Sequence, residues 1–308
     1  SRGRHSLVRL PVESAFSAPW RAKHKSGERN VKRAPLVAPA RKRHGQAAAG
    51  EHRGRRPDAE GAPAGAGAAA VTTGWEVKEF IQDDGRTFFA RVPTCVPATD
   101  QACVDSLAQP RQVILYSHGA GTAEHQNQAT LALNNLAAIW PNAIYVYSVS
   151  KDATRRWDSG ICCTYEKRVD DVGYLVKAVE QIDVDYGVKR SGVGLIGDSN
   201  GGMLSHKAAC ERPDVFRAAS SFAGTYTGPC DGKNVILAQW HGGADEVVPV
   251  NGGQYTIDGR TLTFPPAAAI ATRMSVGSQF VLTVEPGLGH FPHWWIYWQE
   301  LVWLVGKL

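Results

Sequence analysis

Short apolar runs recur along the chain from residue 112 onward, and most of them end in glycine or serine. The runs are QVILYSHG (112–119), AIYVYSV (143–149), VGLIGDS (193–199), VILAQWHG (235–242) and FVLTVEPG (280–287). Continuous apolar runs of this length are typical of parallel strands that are covered on both faces. They therefore predict the strands of a buried sheet.

Helical patterns lie between these runs. In residues 168–183 valines recur at three- and four-residue spacing, with acidic residues and lysines on the other face. Residues 200–213 follow the third run directly, and residues 294–306 form an aromatic-rich segment near the end. The alternation predicts an α/β fold with a mostly parallel central sheet covered by helices on both faces.

A hairpin is expected ahead of this pattern. The segments WEVKEFIQ (75–82) and RTFFARV (86–92) flank Asp83-Asp84-Gly85. Two strand-like segments around an Asp-Gly turn are a strong local signal for antiparallel pairing. We therefore predict that the folded α/β domain spans residues 71–308.

Residues 1–70 have a different composition. They contain 15 Lys and Arg against five Asp and Glu, whereas residues 71–308 contain 19 against 24. The first segment shows no helix or strand period and ends in GAPAGAGAAA, so it is predicted to be a disordered basic tail. A polyanion-binding arm is the alternative. The mildly acidic remainder argues against a nucleic-acid site, and no apolar window is long enough to predict a membrane span.

Six cysteines indicate an oxidising compartment. They are Cys95, Cys103, Cys162, Cys163, Cys210 and Cys230. None has the paired C-x-x-C spacing of a zinc site, and an even number at loops and helix ends favours three disulfides. The predicted location is secreted or periplasmic, although residues 1–40 contain no apolar signal-peptide core. Cys95 and Cys103 lie eight residues apart in one loop, so a local bridge between them is expected.

The sequence Gly197-Asp198-Ser199-Asn200-Gly201 lies where the third strand meets a helix. This is G-x-S-x-G in the strand–turn–helix context of a nucleophile elbow. The tight turn projects a serine hydroxyl above the sheet edge, and glycines are needed on either side because strand and helix approach closely. Ser199 is the predicted nucleophile.

An acid and a histidine follow in the order that such a nucleophile requires. Asp245 is the first carboxylate after the run 235–242, and His290 follows the run 280–287. A serine needs a base that is oriented by a third group, and α/β sheets place these groups at the carboxyl ends of their strands. We predict His290 as base and Asp245 as its orienting acid.

Oxyanion donors are expected from two backbone positions. One is the N–H of Asn200, directly after the nucleophile, and the other is the N–H of Ala120, with Gly121 as the alternative. Ala120 lies in a His118-Gly119-Ala120-Gly121 loop after the first run. His118, Gly119 and the aromatic Trp157 are also predicted to contact substrate. No metal or organic cofactor is implied.

Several motifs together resemble one family. They are G-D-S-N-G-G-M at 197–203, the Cys-Cys pair after Trp157, D-D-V-G-Y at 170–174 and H-G-G-A-D-E-V-V-P at 241–249. The chain from about residue 75 to 305 is similar to polyhydroxybutyrate depolymerase-like and feruloyl esterase-like secreted α/β-hydrolases. The resemblance implies the triad given above and a Cys-Cys turn tied to neighbouring loops. In that arrangement Cys162 or Cys163 bonds Cys210 and the other bonds Cys230.

The function expected from these features is serine carboxylic ester hydrolysis through an acyl-enzyme, on a small-molecule or polymeric ester. Ferulate or acetyl xylan esters of plant cell walls are alternatives to hydroxybutyrate polyesters. A serine peptidase on the same scaffold remains an alternative because a fold does not determine a function. A polyanion-binding protein that acts through the basic tail is the alternative from another class.

Overall fold

A computed structural model describes residues 72–96, 100–107, 109–122, 124–163, 169–232 and 234–308. The predicted tail at 1–70 lies outside these residues. Ten strands are described: β1 Thr72–Ile81, β2 Thr87–Val96, β3 Arg111–Ser117, β4 Ile144–Ser148, β5 Val188–Asp198, β6 Ala218–Phe222, β7 Ile236–Gly242, β8 Asn251–Ile257, β9 Arg260–Pro266 and β10 Gln279–Glu285.

The helices are α1 Gln101–Leu107, α2 Gln126–Ile139, α3 Asp171–Tyr186, α4 Asn200–Glu211 and α5 Trp294–Val305. A 3₁₀ helix spans Ala267–Arg273. The three predicted helical segments correspond to α3, α4 and α5. The first of these begins at Asp171, where the side chain of Asp170 accepts a hydrogen bond from the Gly173 N–H and caps the helix.

Eight strands form one sheet in the order β1-β2-β4-β3-β5-β6-β7-β10. The six strands from β4 to β10 in this order are parallel, and β1 and β2 add an antiparallel hairpin at one edge. All five predicted core strands and the predicted hairpin are present. The carboxyl ends of β5, β7 and β10 meet at one edge of the sheet, which brings the loops after them together.

Helices cover both faces of this sheet, as predicted. Along β3 the side chains of Val113 and Leu115 pack into the cluster that contains α3 and α4. Ile114, which points the other way in a strand, packs with α2 and α5. The sheet is therefore buried on both faces, which explains its continuous apolar strands.

Two features of the strands were not predicted. Strand β6 is built of small residues, AASSF, and carries little hydrophobic signal. Strands β8 and β9 form a separate two-stranded sheet after β7. This hairpin packs through Phe264 against Met203 of α4 and Val248, beside the loop of residues 157–163. The β8–β9 hairpin and the loop 157–163 therefore both lie next to α4, the helix that follows Ser199.

The disulfides confirm one predicted bridge and correct the others. Cys95 bonds Cys103 as expected. The expected bridges from Cys162 and Cys163 to Cys210 and Cys230 are wrong, because Cys210 bonds Cys230 and the two adjacent cysteines bond each other. The chain after α4 returns close to the helix end, where the Cα atoms of Cys210 and Cys230 are 4.7 Å apart.

Candidate active site

Ser199 stands at a sharp turn between β5 and α4. Its backbone has φ 49° and ψ −119°, a conformation that is uncommon outside glycine. A side chain at Gly197 would come within 2.6 Å of the Gly201 backbone, and one at Gly201 would overlap the Ser117 carbonyl oxygen. The two glycines of the motif are therefore required because β5, α4 and β3 approach one another closely here.

The structure brings Ser199, His290 and Asp245 into one hydrogen-bonded chain. The Ser199 Oγ lies 2.9 Å from His290 Nε2, and His290 Nδ1 lies 2.8 Å from Asp245 Oδ2. Each residue follows a different strand of the parallel sheet, namely β5, β10 and β7. This arrangement of serine, imidazole and carboxylate has the geometry that activates a hydroxyl as a nucleophile.

Asp245 is held in place by several donors. Its Oδ1 accepts hydrogen bonds of 2.9 Å from the backbone N–H groups of Val247 and Val248. Its Oδ2 lies 3.3 Å from His241 Nε2 in addition to His290. Burial alone would raise the pKa of this carboxyl, but the hydrogen bonds from His241 and His290 and the other favourable interactions lower it well below its usual range. Asp245 is therefore ionised and fixed at neutral pH.

His241 lies at the end of β7, and its contacts to the acid show what it supports. Its Nε2 also lies 2.6 Å from the Val248 carbonyl oxygen, so this nitrogen carries the proton. Its Nδ1 lies 3.0 Å from Gln239 Nε2 and accepts from that amide. The side chain is completely buried. The only sequence signal for this role is its spacing of four residues from Asp245.

The loop after β3 lies beside the nucleophile. A side chain added at Gly119 would contact the Ser199 Cβ at 3.6 Å, so the backbone here passes close to the serine. The Gly121 N–H donates to the Arg155 carbonyl oxygen over 2.9 Å and is therefore engaged. The Ala120 N–H has no acceptor among the described residues, and the Asn200 N–H begins α4 and has no partner within the helix. Both predicted donors are available.

His118 and Trp157 have no exposed surface for a substrate. Both side chains are fully buried, and the Trp157 Nε1–H donates to the His118 carbonyl oxygen over 2.8 Å. The His118 ring also pairs with Glu124, whose Oε1 accepts from the Ser150 N–H. These two side chains support the loops around Ser199, so the structure corrects their expected role as substrate contacts. Gly119 is half-buried next to the nucleophile.

The side chain of Asn200 ties the loop 157–163 to the nucleophile turn. Its Oδ1 accepts from the Trp157 N–H over 2.7 Å, and its Nδ2 donates to the Ser159 Oγ over 2.9 Å and to the Cys162 carbonyl oxygen over 3.3 Å. The Cys162 Sγ lies 3.7 Å from the Met203 sulfur on α4. The loop that carries the Cys162–Cys163 bridge is therefore attached to the start of α4 by these contacts.

Two carboxyl groups are buried beneath the nucleophile. The Asp198 Oδ2 accepts hydrogen bonds from the hydroxyls of Tyr116 and Tyr297 over 2.6 and 2.7 Å, and burial raises its pKa to about 6. Glu300 is fully buried and accepts from the Ser220 hydroxyl. Burial, with the nearby charge of Asp198, raises the pKa of Glu300 well above its usual value. Glu300 therefore keeps its proton to a higher pH than an exposed glutamate does.

A cavity of about 320 Å³ lies between the loop 157–163 and strand β9. It is lined by Asp158, Gly160, Ile161, Cys162, Arg260, Thr261 and Leu262. Its lining mixes charged, hydroxyl and apolar groups. Through Cys162 it is one contact away from Asn200, the residue after the nucleophile. The cavity therefore borders the serine site on the side of the β8–β9 hairpin.

Residues 99–258, just over half of the chain, match the family model described as phospholipase/carboxylesterase. The chain belongs to this family. It has an α/β-hydrolase fold. Within the described ranges, no helix has the length and apolar character needed to cross a membrane.

The curated relatives of this family member are feruloyl esterases. A probable feruloyl esterase C of Aspergillus niger is 37% identical over 86 residues, which cover 27% of this chain and 32% of the relative. Feruloyl esterase C of Emericella nidulans is 36% identical over the same length and coverage. The match thus spans about a third of the length of these relatives. This supports the predicted feruloyl esterase-like resemblance.

Solved structures show the same fold at low identity. A thermostable esterase superposes with a TM-score of 0.52 at 18% identity, covering 76% of this chain and 63% of that one. A ferulic acid esterase of Anaeromyces mucronatus superposes with a TM-score of 0.50 at 16% identity, covering 79% and 92%. These neighbours support the α/β-hydrolase architecture.

Proposed function

We propose that this protein is a carboxylic ester hydrolase, with Ser199 as nucleophile, His290 as general base and Asp245 as the group that orients His290. The observation that carries the proposal is the hydrogen-bonded chain from Ser199 Oγ through His290 to Asp245 Oδ2, with distances of 2.9 and 2.8 Å. The ionised Asp245 favours the tautomer with a proton on His290 Nδ1. In that tautomer His290 Nε2 accepts the Ser199 proton.

The reaction then follows two acyl-transfer steps. Ser199 Oγ attacks the ester carbonyl carbon as its proton passes to His290 Nε2, and the N–H groups of Ala120 and Asn200 stabilise the resulting oxyanion. His290 returns the proton to the departing alcohol, leaving an acyl group on Ser199. A water molecule, deprotonated by His290, hydrolyses this acyl-enzyme and restores the serine.

Ferulate esters are the first substrates to test. The curated relatives carry the name feruloyl esterase, and the cavity beside Cys162 offers both apolar and polar groups to one limb of an ester. Hydroxybutyrate esters and acetyl xylan remain alternatives from the sequence motifs. The substrate is a small-molecule ester or an ester-bearing polymer.

Residues 71–308 form the proposed catalytic unit, because the sheet, its helices and all triad residues lie within the described part of 72–308. The three disulfides indicate an oxidising compartment. We therefore propose a secreted or periplasmic location.

The test compares the wild type with Ser199→Ala on methyl ferulate, p-nitrophenyl acetate, a hydroxybutyrate dimer ester and a casein-derived peptide. Ser199→Ala is expected to lower kcat on esters by about 10³-fold or more while its circular dichroism spectrum is unchanged. Undiminished ester hydrolysis by the folded variant would refute the nucleophile. Peptide cleavage without ester hydrolysis would favour the peptidase alternative.

A further inference from the structure

An exposed aromatic strip follows the histidine of the triad. We define the strip as Phe291, Trp294, Trp295, Trp298 and Val302. Trp294 is 62% exposed and Phe291 is 60% exposed. A soluble protein seldom exposes several large apolar side chains side by side unless they mark an interaction site.

The strip is one face of α5. Trp295, Trp298 and Val302 are spaced by three and four residues, and Trp294 lies directly before Trp295 and four residues before Trp298, which places all four on one side of the helix. The opposite side, which includes Ile296, Leu301 and Leu304, is buried against the sheet. The outer face of α5 is therefore not required for the core, and its apolar character needs another explanation.

The strip carries almost no charge. Between residues 291 and 306 the only acidic residue is Glu300, which is fully buried, and no Lys or Arg is present. A partner recognised by ion pairs, such as nucleic acid or an anionic lipid surface, would need charged side chains here. The composition instead fits an uncharged apolar surface in contact with water.

The strip begins at the reacting groups. The rings of Phe291 and His290 meet edge to face with centroids 5.6 Å apart. Trp294 begins α5 only four residues after His290, at the sheet edge where Ser199 lies. An apolar surface that rests on the amino-terminal part of the strip is thus held beside the triad.

We infer that the aromatic strip docks the enzyme on the surface of water-insoluble neutral esters, such as droplets of a short-chain triacylglycerol. This inference rests on the proposed function, because the ester on which the strip docks is also the ester that Ser199 hydrolyses. Tryptophan suits such a boundary, because its ring is apolar and its indole N–H remains hydrated. Docking raises the local concentration of ester at Ser199 and has no effect on an ester that is dissolved as single molecules.

The experiment uses the full chain with Trp294→Gln and Trp298→Gln, singly and combined. Trp140→Gln is the matched control, because Trp140 is 42% exposed but lies just before β4, at the opposite edge of the sheet. Hydrolysis is measured on tributyrin droplets of known area and on p-nitrophenyl acetate in solution. Adsorption to the droplets is measured separately by flotation of Ser199→Ala proteins with and without the tryptophan changes.

The double variant is expected to lose about tenfold or more of its rate on droplets and of its adsorption. Its kcat/KM on dissolved ester is expected to stay within about twofold of wild type. Trp140→Gln should match the wild type in all three measurements. If adsorption depends on the strip but the wild type hydrolyses no ester, docking is supported and the proposed function is refuted.

Four results would overturn the inference. An equal loss on droplets and on dissolved ester would show that the tryptophans support the fold or the triad. Unchanged rate and adsorption of the double variant on droplets would show that the strip does not dock there. Binding through the strip to hydroxybutyrate polyester particles but not to droplets would assign the strip to a polymer. A wild-type dimer in light scattering that the double variant converts to a monomer would assign the strip to a second copy.

Discussion

His241 Nε2 lies 3.3 Å from Asp245 Oδ2, the same carboxylate oxygen that His290 Nδ1 contacts at 2.8 Å. The acid thus stands between two imidazoles, one of which faces Ser199 while the other is buried. The buried His241 also binds the Val248 carbonyl oxygen. It therefore fixes both the carboxylate and the backbone segment that donates to it, and we regard it as a positioning residue.

Replacing His241 with phenylalanine should lower kcat about 10- to 100-fold with little change in KM, because a hydrogen bond to a charged group is lost. The pKa of Asp245 should rise, because the hydrogen bond from His241 that helps to lower it is lost, so the ionised form that orients His290 should be lost at a higher pH than in the wild type. His241→Gln should restore part of the rate by donating to Val248. His206→Gln serves as control, since His206 is also buried on a backbone carbonyl, that of Ala238. A pH profile unchanged in His241→Phe would contradict the positioning role.

Asp245→Asn should lower kcat about 10⁴-fold while the protein stays folded. The amide can still accept from the Val247 and Val248 N–H groups, which orients its NH₂ group toward His290. His290 would then carry its proton on Nε2 and could not accept one from Ser199. Steady-state kinetics with an ester and thermal unfolding of the same sample check both parts. A fall of less than tenfold would point to another carboxylate as the orienting acid.

The disulfides should contribute unequally to stability. Cys210 and Cys230 enclose 20 residues, so Cys210→Ser with Cys230→Ser should cost about 3 kcal/mol of unfolding free energy. Cys162 and Cys163 are adjacent and restrict little of the unfolded chain, so their double serine variant should unfold near the wild-type temperature. Calorimetry under non-reducing conditions measures both. Equal losses of stability in the two double variants would show that each disulfide stabilises the fold through local packing rather than by restricting the unfolded chain.

Glu300→Gln should stabilise the protein increasingly as the pH rises. The folded pKa of Glu300 is raised, so the folded state retains a proton that the unfolded chain releases above about pH 4.5. Stability is therefore lost as the pH rises from this value towards the folded pKa, and glutamine avoids that loss while still accepting from Ser220. The difference in melting temperature from wild type should be small at pH 4 and positive at pH 8. Glu79→Gln, at an exposed position, is the control. If the melting-temperature difference of Glu300→Gln does not change between pH 4 and pH 8, the raised pKa of Glu300 is contradicted.

Deleting residues 1–70 should leave the melting temperature and kcat/KM nearly unchanged. The basic segment shows no apolar period in its sequence, whereas the described residues already cover both faces of the sheet with apolar side chains. Calorimetry and ester kinetics on the full and shortened chains test this. A marked loss of stability would show that the first 70 residues pack on the domain.

The sequence predicted the elements whose signal is local. Five core strands were identified because burial on both faces makes them continuously apolar, and the triad positions followed from the ends of those strands. Strand β6 was missed because its small residues fill a crowded layer without a hydrophobic run. Helix α2 was missed although its buried residues recur at three- and four-residue spacing.

Contacts that depend on the path of the chain were not predictable in the same way. The bridge between Cys210 and Cys230 forms because the chain turns back after β6, and nothing in the spacing of the cysteines shows this return. Trp157 was expected at the substrate, but its indole is used to hold the His118 backbone. A buried partner such as His241 has no signal until Asp245 is known to lie against it.

The β8–β9 hairpin lies outside the eight-stranded sheet. It packs against Met203 of α4 and Val248, and its tip residue Asp258 forms an ion pair with Arg156. Its tip at Asp258-Gly259 is exposed, and its strand β9 forms one wall of the cavity beside Cys162. This segment can therefore change in length and composition without altering the strands that hold the triad. Exchange of this hairpin between related esterases is thus a route by which the family can acquire new substrate ranges while its chemistry is inherited intact.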